Sequence, residues 1–227
     1  MGEMTKWAVL RANALGAAWA AIKRTGLPRG GGPACVLGDL GAESGAVALT
    51  VDDGPHPRWT PRLLDLLARQ EIRATFFLIG SEVRAHPGLA RRIVAEGHSV
   101  GNHTMHHRQP FAALPKSVLA GEISDAQRCI EDVTGTTPKW FRAPCGNWSP
   151  LVLRQLRAHG LRPVDWSVDP KDWDEPGAGH VAQVIAGSRP GDIVLCHDGG
   201  GDRSGTVAAL SQVLPVLRDG GTRFTAL

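Results

Sequence analysis

The sequence predicts a single α/β catalytic domain built as a distorted (β/α) barrel of about seven parallel strands, with an N-terminal helical extension. Three observations carry that expectation. Short apolar or β-branched runs alternate with helical periodicity from residue 46 to the end of the chain. Polar residues gather just past the ends of those runs, the edge where barrels collect chemistry from separate loops. The chain has 227 residues, enough to bury one sizeable core undivided.

Residues 46–51 are a short apolar strand, and residues 61–69 place Leu63, Leu64, Leu66 and Leu67 at helical spacing. A strand at 74–79 is rich in β-branched and aromatic residues. The helix at 86–96 opens with Pro87 and closes at Gly97, the usual asymmetry of helix ends. Residues 99–103 end a strand, and a longer helix spans 116–133 until Thr134-Gly135 stops it. A strand at 140–143 leads to a helix at 151–158, capped by Ser149 with Pro150 in its first position. A strand at 161–168, a helix at 180–186, a strand at 192–196, a helix at 207–217 and a strand at 222–227 complete the series.

Residues 1–33 are read as a helical segment followed by the linker Gly30-Gly31-Gly32-Pro33, with the catalytic domain occupying 34–227. Ala12, Leu15, Trp19 and Ile22 sit at helical spacing, consistent with a helix docked on the domain. The alternative is a cleaved signal, since Ala18-Trp19-Ala20 follows an apolar stretch, but Arg11 and Asn13 interrupt that stretch. A cytoplasmic location follows from the first reading, and a secreted or cell-surface one if residues 1–20 act as a signal. No run of 18 apolar residues is present to span a membrane.

Lys and Arg number 25 against 22 Asp and Glu, and they are dispersed, so nothing forecasts a nucleic-acid partner. The cysteines Cys35, Cys129, Cys145 and Cys196 show no CxxC spacing, which argues for reduced thiols rather than a disulfide framework or a structural zinc site. Tyrosine is absent while tryptophan occurs 7 times, and flat indole faces suit both core packing and sugar rings. No oligomeric state follows from the sequence.

The polar residues past the strand ends are Asp52-Asp53, His103, Arg142, Asp169 to Asp172, and His197-Asp198. Asp53, His103 and His107 are the ligand types that a borderline divalent metal prefers, and three protein ligands leave positions open for chemistry. Zinc suits this set best, with cobalt or nickel as alternatives. The bland alternative makes Asp53-Gly54 an ordinary turn and the histidines surface residues, His106 among them. Asp52 precedes the carboxylate ligand and remains free to take a proton, so a metal-assisted hydrolase is the first implication. His56 is a candidate to line a cleft, with a structural role as the alternative, while His159 and His180 are expected to lie on the surface and Cys196 to pack at a strand end. The Gly199-Gly200-Gly201 stretch lacks the ending of a phosphate loop and is read as a turn into the helix at Gly205, with Arg203 bordering a substrate.

Five motifs in order resemble the polysaccharide deacetylases of carbohydrate esterase family four, the chitooligosaccharide deacetylase-like group. They are Thr50-Val51-Asp52-Asp53-Gly54, His103-Thr104-Met105-His106-His107, Arg142-Ala143-Pro144-Cys145-Gly146, Asp169-Pro170-Lys171-Asp172-Trp173 and Leu195-Cys196-His197-Asp198, and the likeness covers about residues 46–227. The resemblance implies hydrolysis of the N-acetyl group of an amino sugar, in a glycan or a glycosylated small molecule. Asp52 resembles the catalytic base, Asp53, His103 and His107 the metal ligands, and Thr104 the hydroxyl that steadies the histidine loop. Arg142 resembles the arginine that holds the base, and His197 the general acid, with Asp172 orienting it and Asp169 as rival for that task. Leu195 and Trp173 resemble the apolar walls that receive the acetyl methyl. The oxyanion N–H of the family belongs to a tyrosine in an Arg-x-Pro-Tyr-Gly loop; here the position is Cys145, whose backbone can still donate. The alternatives are an inactive carbohydrate-binding relative, a hydrolase or isomerase using the same site on a secondary metabolite, and a Cys145 nucleophile.

Overall fold

The computed structural model describes residues 36–227. The expected N-terminal helix, the Gly-rich linker, Cys35 and the domain boundary at 34 all lie outside the described residues.

Among the described residues, seven strands and seven α-helices follow one another: β1 (Val47–Asp52), α1 (Trp59–Arg69), β2 (Thr75–Leu78), α2 (Gly80–Ala85), α3 (Pro87–Ala95), β3 (Ser99–Asn102), α4 (Lys116–Thr134), β4 (Trp140–Phe141), α5 (Pro150–Ala158), β5 (Arg162–Pro163), α6 (Ala178–Ala186), β6 (Ile193–His197), α7 (Ser204–Asp219) and β7 (Phe224–Thr225). Every pairing is parallel and the order across the sheet is β5-β4-β3-β2-β1-β6. β7 pairs Val47 and Ala48, while β2 pairs Thr50 to Asp52, so β7 continues the edge of β1 that β2 leaves free.

The predicted strand at 161–168 is split, and the split accounts for the distortion. Its first part pairs with β4, and its second part crosses to β6, where Ser167 N–H donates to Ile193 O and Leu195 N–H to Val168 O. Residues 37–40 seal the same gap lower down, with Leu37 N–H on Pro163 O and Leu40 N–H on Gly191 O. The curled sheet is thereby closed by irregular backbone rather than by an eighth strand.

The alternation of side chains sorts β1 into two environments. Val47, Leu49 and Val51 pack against Leu63 and Leu67 of α1, Ile185 of α6 and Leu210 of α7 in the main core. Ala48 faces the other way, into a smaller interior cluster with Phe77, Val164 and Ile193. Thr50 and Asp52 continue that inner row upward, so the interior turns from apolar to polar toward the strands' C-terminal ends. A third cluster joins Leu119 and Ile123 of α4 to Phe141, Trp148 and Val152. Burying each such large side chain stabilises the fold by about 1.5–3 kcal/mol before entropy is counted.

Helix ends follow local chemistry. Ser149 Oγ accepts the Val152 N–H ahead of Pro150, and Gly135 ends α4 with φ of 69°. One expectation needs correction. The six-residue helix α2 went unpredicted because one and a half turns show no periodicity; its start is fixed instead by Gly80 and Ser81 N–H bonds to Thr104 O and Met105 O. The last helix begins at Ser204, beside the entry expected at Gly205 and ahead of the apolar run at 207–217, and no described helix is long and apolar enough to cross a membrane.

Candidate active site

The C-terminal ends of β1, β3, β4 and β6 bring the predicted residues together. In the β1–β6 register Asp52 is the partner of His197, so these two lie side by side on the inner face of adjacent strands. Asp53 follows in the left-handed region at φ 75°, which turns its carboxylate away from the strand repeat.

Asp53, His103 and His107 each offer a ligand atom, and the three atoms lie within 4.8 Å of one another. The Nε2 atoms of His103 and His107 are both 3.4 Å from Asp53 Oδ1, a buried acceptor with no hydrogen-bond partner. A buried carboxylate oxygen left without a donor between two imidazoles fits a cation. His103 Nδ1 lies 2.8 Å from Arg142 O, where only an N–H can bond; this puts the proton on Nδ1 and leaves Nε2 as the lone pair. The sequence places the histidines four residues apart, but no helix brings them together. The loop converges through left-handed residues at Thr104 (φ 69°) and His107 (φ 51°), with Thr104 Oγ1 accepting the His107 N–H at 3.0 Å.

Electrostatics couples this cluster. Burial raises the pKa of Asp53, but the close contact and charge of His103, with the charges of His197 and His107, hold it well below the ordinary carboxylate range. Burial lowers His103, yet Asp52 and Asp53 raise it overall, while burial and the neighbouring His103 lower His107. Negative charge gathers beside the imidazoles, surroundings that favour a cation there, whether a proton on His103 or a divalent ion.

Arg142 is fully buried inside the barrel. Its Nη1 donates to Thr50 Oγ1 at 2.7 Å and to Asp52 Oδ1 at 2.8 Å, its Nη2 donates to Asp165 O, and its guanidinium lies 4.3 Å above the Phe77 ring. Thr50 Oγ1 in turn donates its hydroxyl hydrogen bond to Val194 O. The ring of Phe77 lies where a Cβ on its β3 partner Gly101 would be, so a larger residue there would push the ring into Arg142. Asp52 is thereby aimed upward, with its Oδ2 3.7 Å from His103 Nε2.

On the opposite flank, His197 Nδ1 is 2.7 Å from Asp172 Oδ1, and its backbone N–H donates to Asp172 Oδ2. Burial lowers the pKa of His197, but Asp172 more than compensates and it stands at about 9. Asp169 does not compete, since it accepts the Lys171 N–H in a local turn. Leu195 is buried two residues below His197 on the same strand, and Trp173 is 51% exposed beside Asp172. Cys145 adopts φ 54°, and Gly146 and Asn147 N–H turn back to Ala143 O and Pro144 O, which leaves the Cys145 N–H outside the loop's own bonding. Partial burial of its sulfur, with Asp53 and Asp52 nearby, raises the Cys145 thiol, opposite to what a nucleophile needs.

Thr206 and Thr60 carried no local signal. Thr206 Oγ1 donates to Asp172 Oδ2, and Thr60 Oγ1 donates to Asp198 Oδ2. Asp198, pushed up to about 7 by burial, ties β6 to the first motif through its N–H on Asp52 O. Arg203 does not border substrate as expected: it is buried and its guanidinium staples Gly199 O to Asp172 O. Gly199 lies so close to the backbone of Asp53 that no Cβ fits there. His56 Nδ1 accepts the Arg58 and Trp59 N–H groups and caps α1, and Cys196 packs in the main core.

Comparison with known proteins points one way. Residues 40–164 match the family model described as polysaccharide deacetylase. A peptidoglycan-N-acetylglucosamine deacetylase of Bacillus cereus is 41% identical over 184 residues, which cover 80% of this chain and 85% of the relative. A chitooligosaccharide deacetylase of Sinorhizobium fredii is 42% identical over 193 residues, covering 80% and 89%. Among solved structures, a peptidoglycan N-acetylglucosamine deacetylase in complex with 4-naphthalen-1-yl-N-oxidanyl-benzamide superposes with a TM-score of 0.81 at 32% identity, covering 85% of this chain and 90% of that one. A CE4 family pseudoenzyme from Bacillus anthracis superposes with a TM-score of 0.79 at 26% identity, covering 86% and 68%.

Proposed function

Because this chain belongs to the polysaccharide deacetylase family, we propose that it is a metal-dependent amide hydrolase that removes the acetyl group from an N-acetylated amino sugar. The observation that carries the proposal is the β1–β6 register. It sets a carboxylate held by arginine beside an imidazole held by a carboxylate, with the Asp53, His103 and His107 cluster next to them.

Asp53, His103 and His107 would hold the ion, zinc by preference for two imidazoles and one carboxylate. When bound, such an ion supplies Lewis acidity, lowering the pKa of water and polarising an acyl oxygen. The remaining steps belong to the chain. Asp52, fixed by Arg142, takes the proton of the attacking water. The Cys145 N–H donates to the oxygen on which negative charge develops. His197, protonated at neutral pH, gives its proton to the departing amine, and Asp172 stabilises the imidazolium until transfer. Trp173 offers an exposed indole face for a sugar ring, beside the buried Leu195.

Fold alone does not bring activity, since a neighbour of the same architecture is a pseudoenzyme. Here base, ligands, arginine and acid are all present and in contact distance of their partners. Acetate release from N-acetylglucosamine, its β-1,4 oligomers and glycosylated N-acetyl metabolites tests the substrate class. The proposal predicts release from at least one, stopped by chelator; none from the whole panel with metal supplied rejects it.

The acid carries its own test. A raised His197 pKa means that its contribution to stability is complete below about 6.5 and is lost as pH rises through about 9. The same titration sets the alkaline limb of kcat. Asp172→Asn removes the largest of the causes that raise the value and leaves burial opposed only by the charges of Asp53 and Asp52, so that limb is expected to fall from near pH 9 toward pH 6.5. A bound cation pulls both limbs down without changing their order. A kcat–pH profile that is the same in both proteins excludes His197 as the acid.

A further inference from the structure

The histidine loop is held on three sides, and one holder lies on an element that takes no part in the chemistry. At its start, Thr104 N–H is accepted by Asn102 Oδ1, and the Thr104 and Met105 carbonyls receive N–H groups from the start of α2. Its later half depends on Glu122, in the second turn of α4. Glu122 is 5% exposed, unusual for a carboxylate. Its Oε2 accepts the backbone N–H of His106 at 2.8 Å, and its Oε1 lies 2.8 Å from both His106 Nδ1 and Arg108 Nε. These donors stand immediately before and after His107, which has φ of 51°. A bulky residue resists that conformation, so something outside the loop must stabilise it.

We infer that Glu122 is a positioning residue for the metal site: its buried carboxylate clamps residues 106 and 108 so that His107 is held in the ligating conformation before any ion arrives. This rests on the metal reading above and deepens it. A plain surface ion pair is the competing description, since the His106 and Arg108 side chains are 48% and 56% exposed. Such a pair would not need a buried acceptor for a main-chain N–H, and its removal would leave the binding of an ion untouched. A clamp on an outer residue of a metal site instead changes affinity by about 10–100-fold.

The test is the Zn2+ Kd of the metal-stripped full chain, by competition with a chromophoric chelator, together with the melting temperature of each metal-free protein. Glu122→Ala is expected to weaken Zn2+ by about 10–100-fold, with the metal-free melting temperature close to that of the parent. Glu122→Gln keeps an oxygen for the His106 N–H but loses the charge, and an intermediate loss is expected. Should the Ala variant not fold, the Gln variant decides. Parental affinity in a folded Glu122 variant, within about twofold, overturns the clamp. His103→Ala separates the two ideas: if it binds Zn2+ as the parent does, the metal site itself is misplaced, and the clamp falls with it.

Discussion

Asp52→Asn is expected to lower kcat for acetate release by about 10²–10⁴-fold while the protein still binds one metal ion. The asparagine keeps the shape of the carboxylate and can still accept from Arg142 Nη1, but it cannot take a proton. The proposed ligands are the neighbouring residue and two histidines on another loop, so metal content should survive the change. Acetate assays paired with metal analysis separate these effects. An Asn variant with parental turnover would remove Asp52 from the role of base, and one that has lost its metal would make Asp52 a ligand.

Arg142→Met carries the largest expected effect on the fold. The guanidinium supplies donors to Thr50, Asp52 and the Asp165 carbonyl inside the barrel, where water does not replace them. Methionine leaves the Asp52 carboxylate buried without its partner, a loss of about 3–5 kcal/mol. For a domain of this size that lowers Tm by about 6–20 °C. Activity should fall as well, because Arg142 Nη1 no longer holds the Asp52 carboxylate in its aim at the site. Thermal melts together with kcat for acetate release check both halves. Parental stability in the Met variant would show that the buried network contributes little to the fold.

Much of this arrangement is legible in the residues themselves. The inner row of β1 can be read from its alternation, and the regular helices α4 and α5 announce their ends through Gly135, Ser149 and Pro150. Asp52, Asp53, His103, His107, Arg142, Asp172 and His197 stand out because charge at the end of an apolar strand has few structural uses. What stayed hidden depends on chain segments far apart in sequence. Glu122 resembles any acidic residue of an amphipathic helix until α4 packs beneath the histidine loop, 14–16 residues away. Thr206 and Arg203 acquire their roles when α7 meets the Asp172 loop, and the expectation that Arg203 faces substrate failed because its reach to Gly199 O and Asp172 O is a tertiary fact. The split strand at 161–168 reads as continuous because both halves have strand chemistry, while their partners differ.

The most direct measurement is acetate release from an N-acetylglucosamine oligomer by metal-stripped protein as Zn2+ is titrated back. The account predicts no turnover in the stripped protein, recovery that saturates at one ion per chain, and no recovery in His103→Ala at the same Zn2+. Full turnover without metal, or equal recovery in His103→Ala, would contradict it.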